Sequence, residues 1–320
     1  YTGRMRYVKK INFLFCLVMC VVSIMVIQHN SHLSVVGVKK TTIVATTSML
    51  ADAVHIIVAG SSNVVINGLM GPGVDPHLYR ARESDVHTLA AADLIVYNGL
   101  HLEGKMGQVL TGMQRFTKFV AASDALDHTR VRTCEFEGLH DPHVWFDVLL
   151  WITMVGCIQE NIIALDPDNA ALYEMNGEQY IAQLKQLHCY IQKRVNEVAS
   201  DKRILITAHD AFGYFGDAYG FTVIGLQGLS TDCDISTRDI QQLADYIVKK
   251  AIPTIFVESS VSGSSMRALQ EAVVAQGWQV ALGDELYSDA LGDRASGAGS
   301  YISMVRHNVD IIIDALKKVK

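Results

Sequence analysis

Proline is scarce in this chain, five residues in 320, and no proline-, glycine- or serine-rich stretch divides it. A flexible linker between domains is thereby excluded. No acidic, basic or glutamine/asparagine-rich run stands out. Charged residues reach only 19% against 50% hydrophobic, a balance that excludes a disordered tail and leaves enough apolar side chain for a sizeable core. No Cys-x-x-Cys pair occurs. Cys134, Cys157, Cys189 and Cys233 are widely scattered beyond the leader, and a chain of this size needs no disulfide, so they are read as buried free thiols. The net charge of −6 argues against nucleic acid as a partner and makes a cation a natural one.

What is present begins with a leader. "MRYVKK" carries only positive charge and is followed by the nearly all-apolar "INFLFCLVMCVVSIMVIQ", the pattern of an export signal, with Met5 read as the start. The apolar run is near the lower limit for spanning a bilayer, roughly 17–25 residues. No small-x-small cleavage site follows it, so residues 1–32 are read as a signal peptide or an uncleaved membrane anchor. Cys16 follows Phe15 and Cys20 follows Met19, a poor match to a lipid-attachment site.

From residue 41 short β-branched runs alternate with helical stretches, as in "TTIVATTS", "MLADAVHIIVAG", "VVINGLM" and "DLIVYNG". That rhythm predicts parallel βαβ units. Residues 166–199 hold a single proline, next to their start, and predict one helix of around 30 residues. The alternation then resumes. The expected fold is α/β: two lobes, 40–165 and 201–320, each with a mainly parallel sheet flanked by helices, joined by a long connecting helix over 166–200.

Two of the five prolines stand in the same tripeptide, Asp-Pro-His, ending at His77 and at His143. Proline fixes its own φ and biases the preceding residue toward extended geometry, which holds a loop rigid before it delivers an imidazole. A metal ligand benefits from such preorganisation. Asp75 and Asp141 either cap their loops, the favoured reading, or orient an imidazole. A third histidine, His209, ends the strand-like "ILITAH", and Asp289 follows "QVALG". Ligands in open parallel sheets bind beyond the carboxyl ends of strands, so these residues are placed to converge. The equal intervals of 66 residues between the three histidines are a coincidence, because their flanks do not align. His55, His87, His188 and His307 fall in helical patterns and read as surface or satisfied core residues.

The motifs "VATTSMLAD", "LMGPGVDPHLYRARESD", "AADLIVYNGLHLEG", "DPHVWFD", "ITAHDAFGYFGDAYG" and "LYSDALG" occur in the order found in the zinc- and manganese-specific solute-binding proteins of ABC importers. The resemblance covers about residues 40–320. It implies one divalent ion, Zn2+ or Mn2+, carried as cargo between two lobes. The ligands it implies are His77 and His143 from the first lobe and His209 and Asp289 from the second. It further implies a monomer that is no enzyme, outside the cytoplasm, held to the membrane if the leader is uncleaved, with an ABC permease and its ATPase as partners. Three imidazoles and a carboxylate suit zinc and tolerate manganese. A histidine at 209 leans toward zinc or dual use, whereas the lack of a His/Asp-rich run between 101 and 141 weakens a zinc-only reading. His140 stands open as a spare ligand, and Glu258 as either an imidazole partner or a helix cap.

Two rival readings remain at this level. Three histidines also serve zinc hydrolases, although no His-Glu-x-x-His motif is present and Asp289 would close the coordination shell. A surface adhesin is the other, as an additional role. The receptor reading predicts a small reorientation of the lobes on binding and weaker affinity below about pH 6, where imidazole protonates.

Overall fold

A computed structural model of the protein describes residues 40–133 and 140–317. The leader and Cys134 lie outside the described residues. The first half is built on a four-stranded parallel sheet in the order β2-β1-β3-β4, with β1 Thr41–Ala45, β2 Val64–Gly68, β3 Leu94–Tyr97 and β4 Lys118–Ala121. Helices α1 Ser48–Ile57, α2 Glu83–Ala90 and α3 Gly107–Met113 supply the crossovers. Ile43, Leu94, Ile95 and Val96 are fully buried. Such continuous apolar strands belong in a sheet covered on both faces.

Helix α4 spans Val148–Leu165 and starts where the Asp147 side chain accepts the Leu149 N–H at 2.8 Å. By length and composition it could cross a membrane, yet Trp151, Met154, Val155, Ile158 and Ile162 lie buried in the core, so it is a core helix. The long helix follows as α5, Ala170–Val195, 26 residues entered through a 3-10 turn at Pro167–Asn169. Its buried positions Tyr173, Gly177, Tyr180, Leu184, Leu187, Ile191 and Val195 recur every three or four residues, one stripe of a helix. A Cβ at Gly177 would lie 2.4 Å from the Gln159 side chain, so glycine there admits α4.

The second half holds β5 Ile204–His209 paired with β6 Thr222–Gln227, and β7 Thr254–Glu258 paired with β8 Ala281–Leu286. Both pairs are parallel, and β5 lies beside β7. Helices α6 Gly213–Tyr219, α7 Thr237–Lys250, α8 Ser264–Ala275 and α9 Tyr301–Lys317 connect and cover them. The largest core cluster runs through both halves, from Ile43 and Leu94 past α4, α5 and α9 to Leu205 and Phe256.

The α/β architecture and the long helix agree with the sequence. Boundaries differ: β8 starts at Ala281, two residues into the "QVALG" run. The three described thiols are free, as expected, but Cys189 and Cys233 are exposed and Cys157 is half-buried, which corrects the expectation of burial for them. Cysteine's frequent burial is a property of its size and apolarity, and position in the fold overrides it.

Candidate metal centre

Three of the four candidate residues leave the carboxyl end of a strand or the loop beyond it. His77 lies in the loop after β2, His209 is the last residue of β5, Asp289 lies three residues past β8, and His143 opens the 3-10 turn Val144–Phe146 that leads into α4. Parallel strands direct their carboxyl ends to the same side, so residues far apart in sequence meet there. One ligand atom from each of His77, His143, His209 and Asp289 lies within 4.8 Å of those of the others. Their exposures are 6%, 0%, 0% and 1%.

The Asp-Pro-His loops work the same way twice. Asp75 Oδ1 accepts the backbone N–H of His77 at 2.8 Å, and Asp141 Oδ1 accepts that of His143 at 3.0 Å. Both aspartates therefore close their loops. Asp141 does more: the same oxygen also takes the His143 Nδ1–H at 2.8 Å. Glu258 treats His209 in parallel fashion, its Oε1 accepting the backbone N–H at 2.9 Å and its Oε2 lying 2.5 Å from Nδ1. This second contact is not aligned as a hydrogen bond, and its attraction is that of an ion pair. Of the two readings of Glu258, the imidazole partner is the one the geometry supports.

With Nδ1 engaged, Nε2 of both rings faces the centre. His143 Nε2 lies 3.2 Å from His77 Nε2 and 3.5 Å from Asp289 Oδ1, and His209 Nε2 lies 3.3 Å from Asp289 Oδ2. His209 Nε2 and Asp289 Oδ1 are fully buried without a properly formed hydrogen bond. Buried polar atoms left this way are costly unless a further group satisfies them, and a cation at their common centre does so.

Charge follows the same geometry. Burial works against a proton on His143, but the hydrogen bond to Asp141 and the nearby Asp289 carboxylate overcome it and raise its pKa to about 9. Burial likewise opposes ionisation of His209, yet the Glu258 and Asp289 carboxylates hold its pKa well above the ordinary value. Desolvation dominates at His77, whose pKa falls to about 3. Asp289 resists its burial through the charges of His209 and His143 and stays far below the ordinary carboxylate range.

Several supporting residues were not singled out in the sequence. Arg132 Nε contacts Asp141 Oδ2 at 3.3 Å, Ser260 Oγ donates to Asp289 Oδ2 at 3.2 Å, and Trp145 Nε1 donates to the Ser288 carbonyl at 3.0 Å. Trp145 had a signal, since it stands two residues past His143 in "DPHVW". The other two offered none. His140 is not among the four converging residues.

The family described as ZnuA, zinc-uptake complex component A periplasmic, matches residues 43–315. The zinc-binding protein TroA of Treponema pallidum is 45% identical over 279 residues, covering 87% of this chain and 90% of that protein. The manganese-binding lipoprotein MntA of Bacillus subtilis is 42% identical over 275 residues, 86% of this chain and 89% of its own length. The solved structure of the periplasmic zinc-binding protein TroA superposes with a TM-score of 0.84 over 87% of this chain and 99% of that one.

Proposed function

The chain belongs to the ZnuA family of periplasmic zinc-uptake components, and from that premise we propose that it is a receptor carrying one zinc or manganese ion to an ABC-type importer. It is a solute-binding protein that works outside the cytoplasm, not an enzyme. In this reading His77, His143, His209 and Asp289 are the ligands. The residues 40–165 and 201–320 act as two lobes about the connecting segment 166–200, and the loaded form docks on a permease driven by an ATPase.

The observation that carries the reading is the convergence of four buried donor atoms within 4.8 Å, two of their imidazoles pinned through Nδ1 by carboxylates. Imidazole nitrogen and carboxylate oxygen accept both zinc and manganese, in keeping with relatives named for either ion.

The test is the metal content, by mass spectrometry, of the fragment from residue 33 onward, purified without chelator or added metal. About one zinc or manganese per chain supports the reading and names the cargo. No metal, even after incubation with both ions, refutes it. Loss of the ion in a protein with His77, His143 and His209 all changed to alanine assigns it to this centre.

A further inference from the structure

Of the four converging residues, His77 alone lines a cavity of about 340 Å³. The other three are buried to 1% or less. Besides His77, the cavity wall carries two more imidazoles and a thiol, from His101, His140 and Cys233. These are the donor types that borderline-soft divalent metals prefer.

Two features of this wall lack a purely structural reason. His140 Nδ1 is buried and has no hydrogen-bond partner among the described residues, although the backbone of His140 is fixed in a bridge to Thr133. His101 ends a run of three residues with positive φ, Gly99 at +87°, Leu100 at +51° and His101 itself at +67°. Bulky residues avoid that region, and such strain gathers at functional sites. Gly104 accommodates the ring, since a Cβ there would lie 3.1 Å from His101 Nε2.

Parts of both halves of the chain meet around the cavity. Lys105 Nζ and Asp232 Oδ2, both of cavity-lining residues, pair at 2.5 Å, and Thr231 Oγ1 donates to Asp75 Oδ2 at 2.6 Å. Donors in the wall are not gathered as tightly as the centre: His101, His140 and Cys233 do not form a compact group of three. Each can hold an ion only with water completing its shell, which suits passage rather than storage.

We propose that this cavity is the path by which the metal reaches and leaves the centre, with His101 and His140 as transient ligands that pass it to His77, the first of the four to bind. The inference rests on the proposed metal-receptor function and assigns a route to it.

The experiment is stopped-flow zinc binding, with zinc ion alone as the probe and chelator-driven release as the reverse step, on the full chain in mild detergent. Three proteins are compared: unsubstituted, His101→Ala/His140→Ala, and Cys233→Phe, which narrows the cavity from an exposed position. Both variants are expected to bind one zinc with unchanged Kd while association and release slow together, by about three- to tenfold. His140→Gln alone gives a milder slowing if the double variant folds poorly. Unchanged rates in every variant overturn the proposal. So does faster release at unchanged association, because that is the mark of a ligand in the closed centre. Absence of zinc binding by the unsubstituted protein strikes the receptor function itself, and the route falls with it.

Discussion

Glu258 grips His209 at two points, accepting its backbone N–H at 2.9 Å and lying 2.5 Å from its ring Nδ1, across 49 residues of sequence. A carboxylate so placed keeps a proton on Nδ1 and leaves Nε2 for the metal. Glu258→Gln preserves an acceptor for the N–H but removes the charge. Outer partners of this kind are worth about 10–100-fold in metal affinity. Zinc binding measured by chelator competition is expected to weaken by that factor in Glu258→Gln with the fold intact. An unchanged affinity would reduce Glu258 to a strand-end tie.

Protons stand in for the ion when the centre is free of metal. His143 holds one up to about pH 9 and His209 holds one well above the ordinary imidazole range, while His77 is already neutral above about pH 3. The metal binds neutral imidazole, so it must expel the protons on His143 and His209. Affinity is therefore expected to fall as the pH drops below 9, well before the threshold near pH 6 that unperturbed imidazoles set. At pH 7 about two protons should leave per ion bound. Calorimetry in buffers of different ionisation enthalpy counts them, and a count near zero would contradict this charge balance.

Gly225 tests how rigidly His209 is placed. It pairs with Thr207 across β5 and β6, and a Cβ there would lie 2.3 Å from the Asp210 nitrogen and 2.5 Å from the His209 carbonyl carbon. Backbone cannot yield as a flexible side chain does. Gly225→Ala is expected to destabilise the fold by about 1–3 kcal/mol or more and to weaken metal binding by displacing His209. Gly156→Ala, in α4 with nothing within 4 Å, is the control and should stabilise by about 0.5–1 kcal/mol. Denaturant midpoints and zinc affinities for both proteins check the contrast.

The sequence carried the parts of this centre that depend on local chemistry. Asp-Pro-His twice, a histidine ending an apolar strand and an uninterrupted helical stretch are signals that neighbouring residues create. Less legible were contacts made by distance: Arg132 on Asp141, Ser260 on Asp289, and Glu258 reaching His209 from an adjacent strand. These depend on which strands lie side by side, and periodicity does not specify strand order. The late start of β8 has a local cause, since the Trp278 backbone N–H is spent on the Val273 carbonyl at 3.4 Å, at the end of α8 and outside the ladder. Exposure of Cys189 and Cys233 was equally hidden, because it is a property of the finished surface.

The long helix sets the scale of motion. Near its start, Asn176 Nδ2 donates to the carbonyls of Ile57 and Ala59 at 2.9 Å, tying α5 to the first half. Near its end, Arg194 pairs with Asp310 at 2.8 Å and Asp314 at 2.7 Å on α9, tying it to the second. A wide hinge would have to bend α5 or break one of these anchors, and its buried stripe runs unbroken between them. Hinges that close widely absorb their rotation in a few loop or element-terminal residues, and the connection here is a regular helix. Loading with zinc is therefore expected to change the radius of gyration by no more than about 1 Å in solution scattering. A change of several ångströms would show that the two halves move as a wide clamp and that α5 does not hold them.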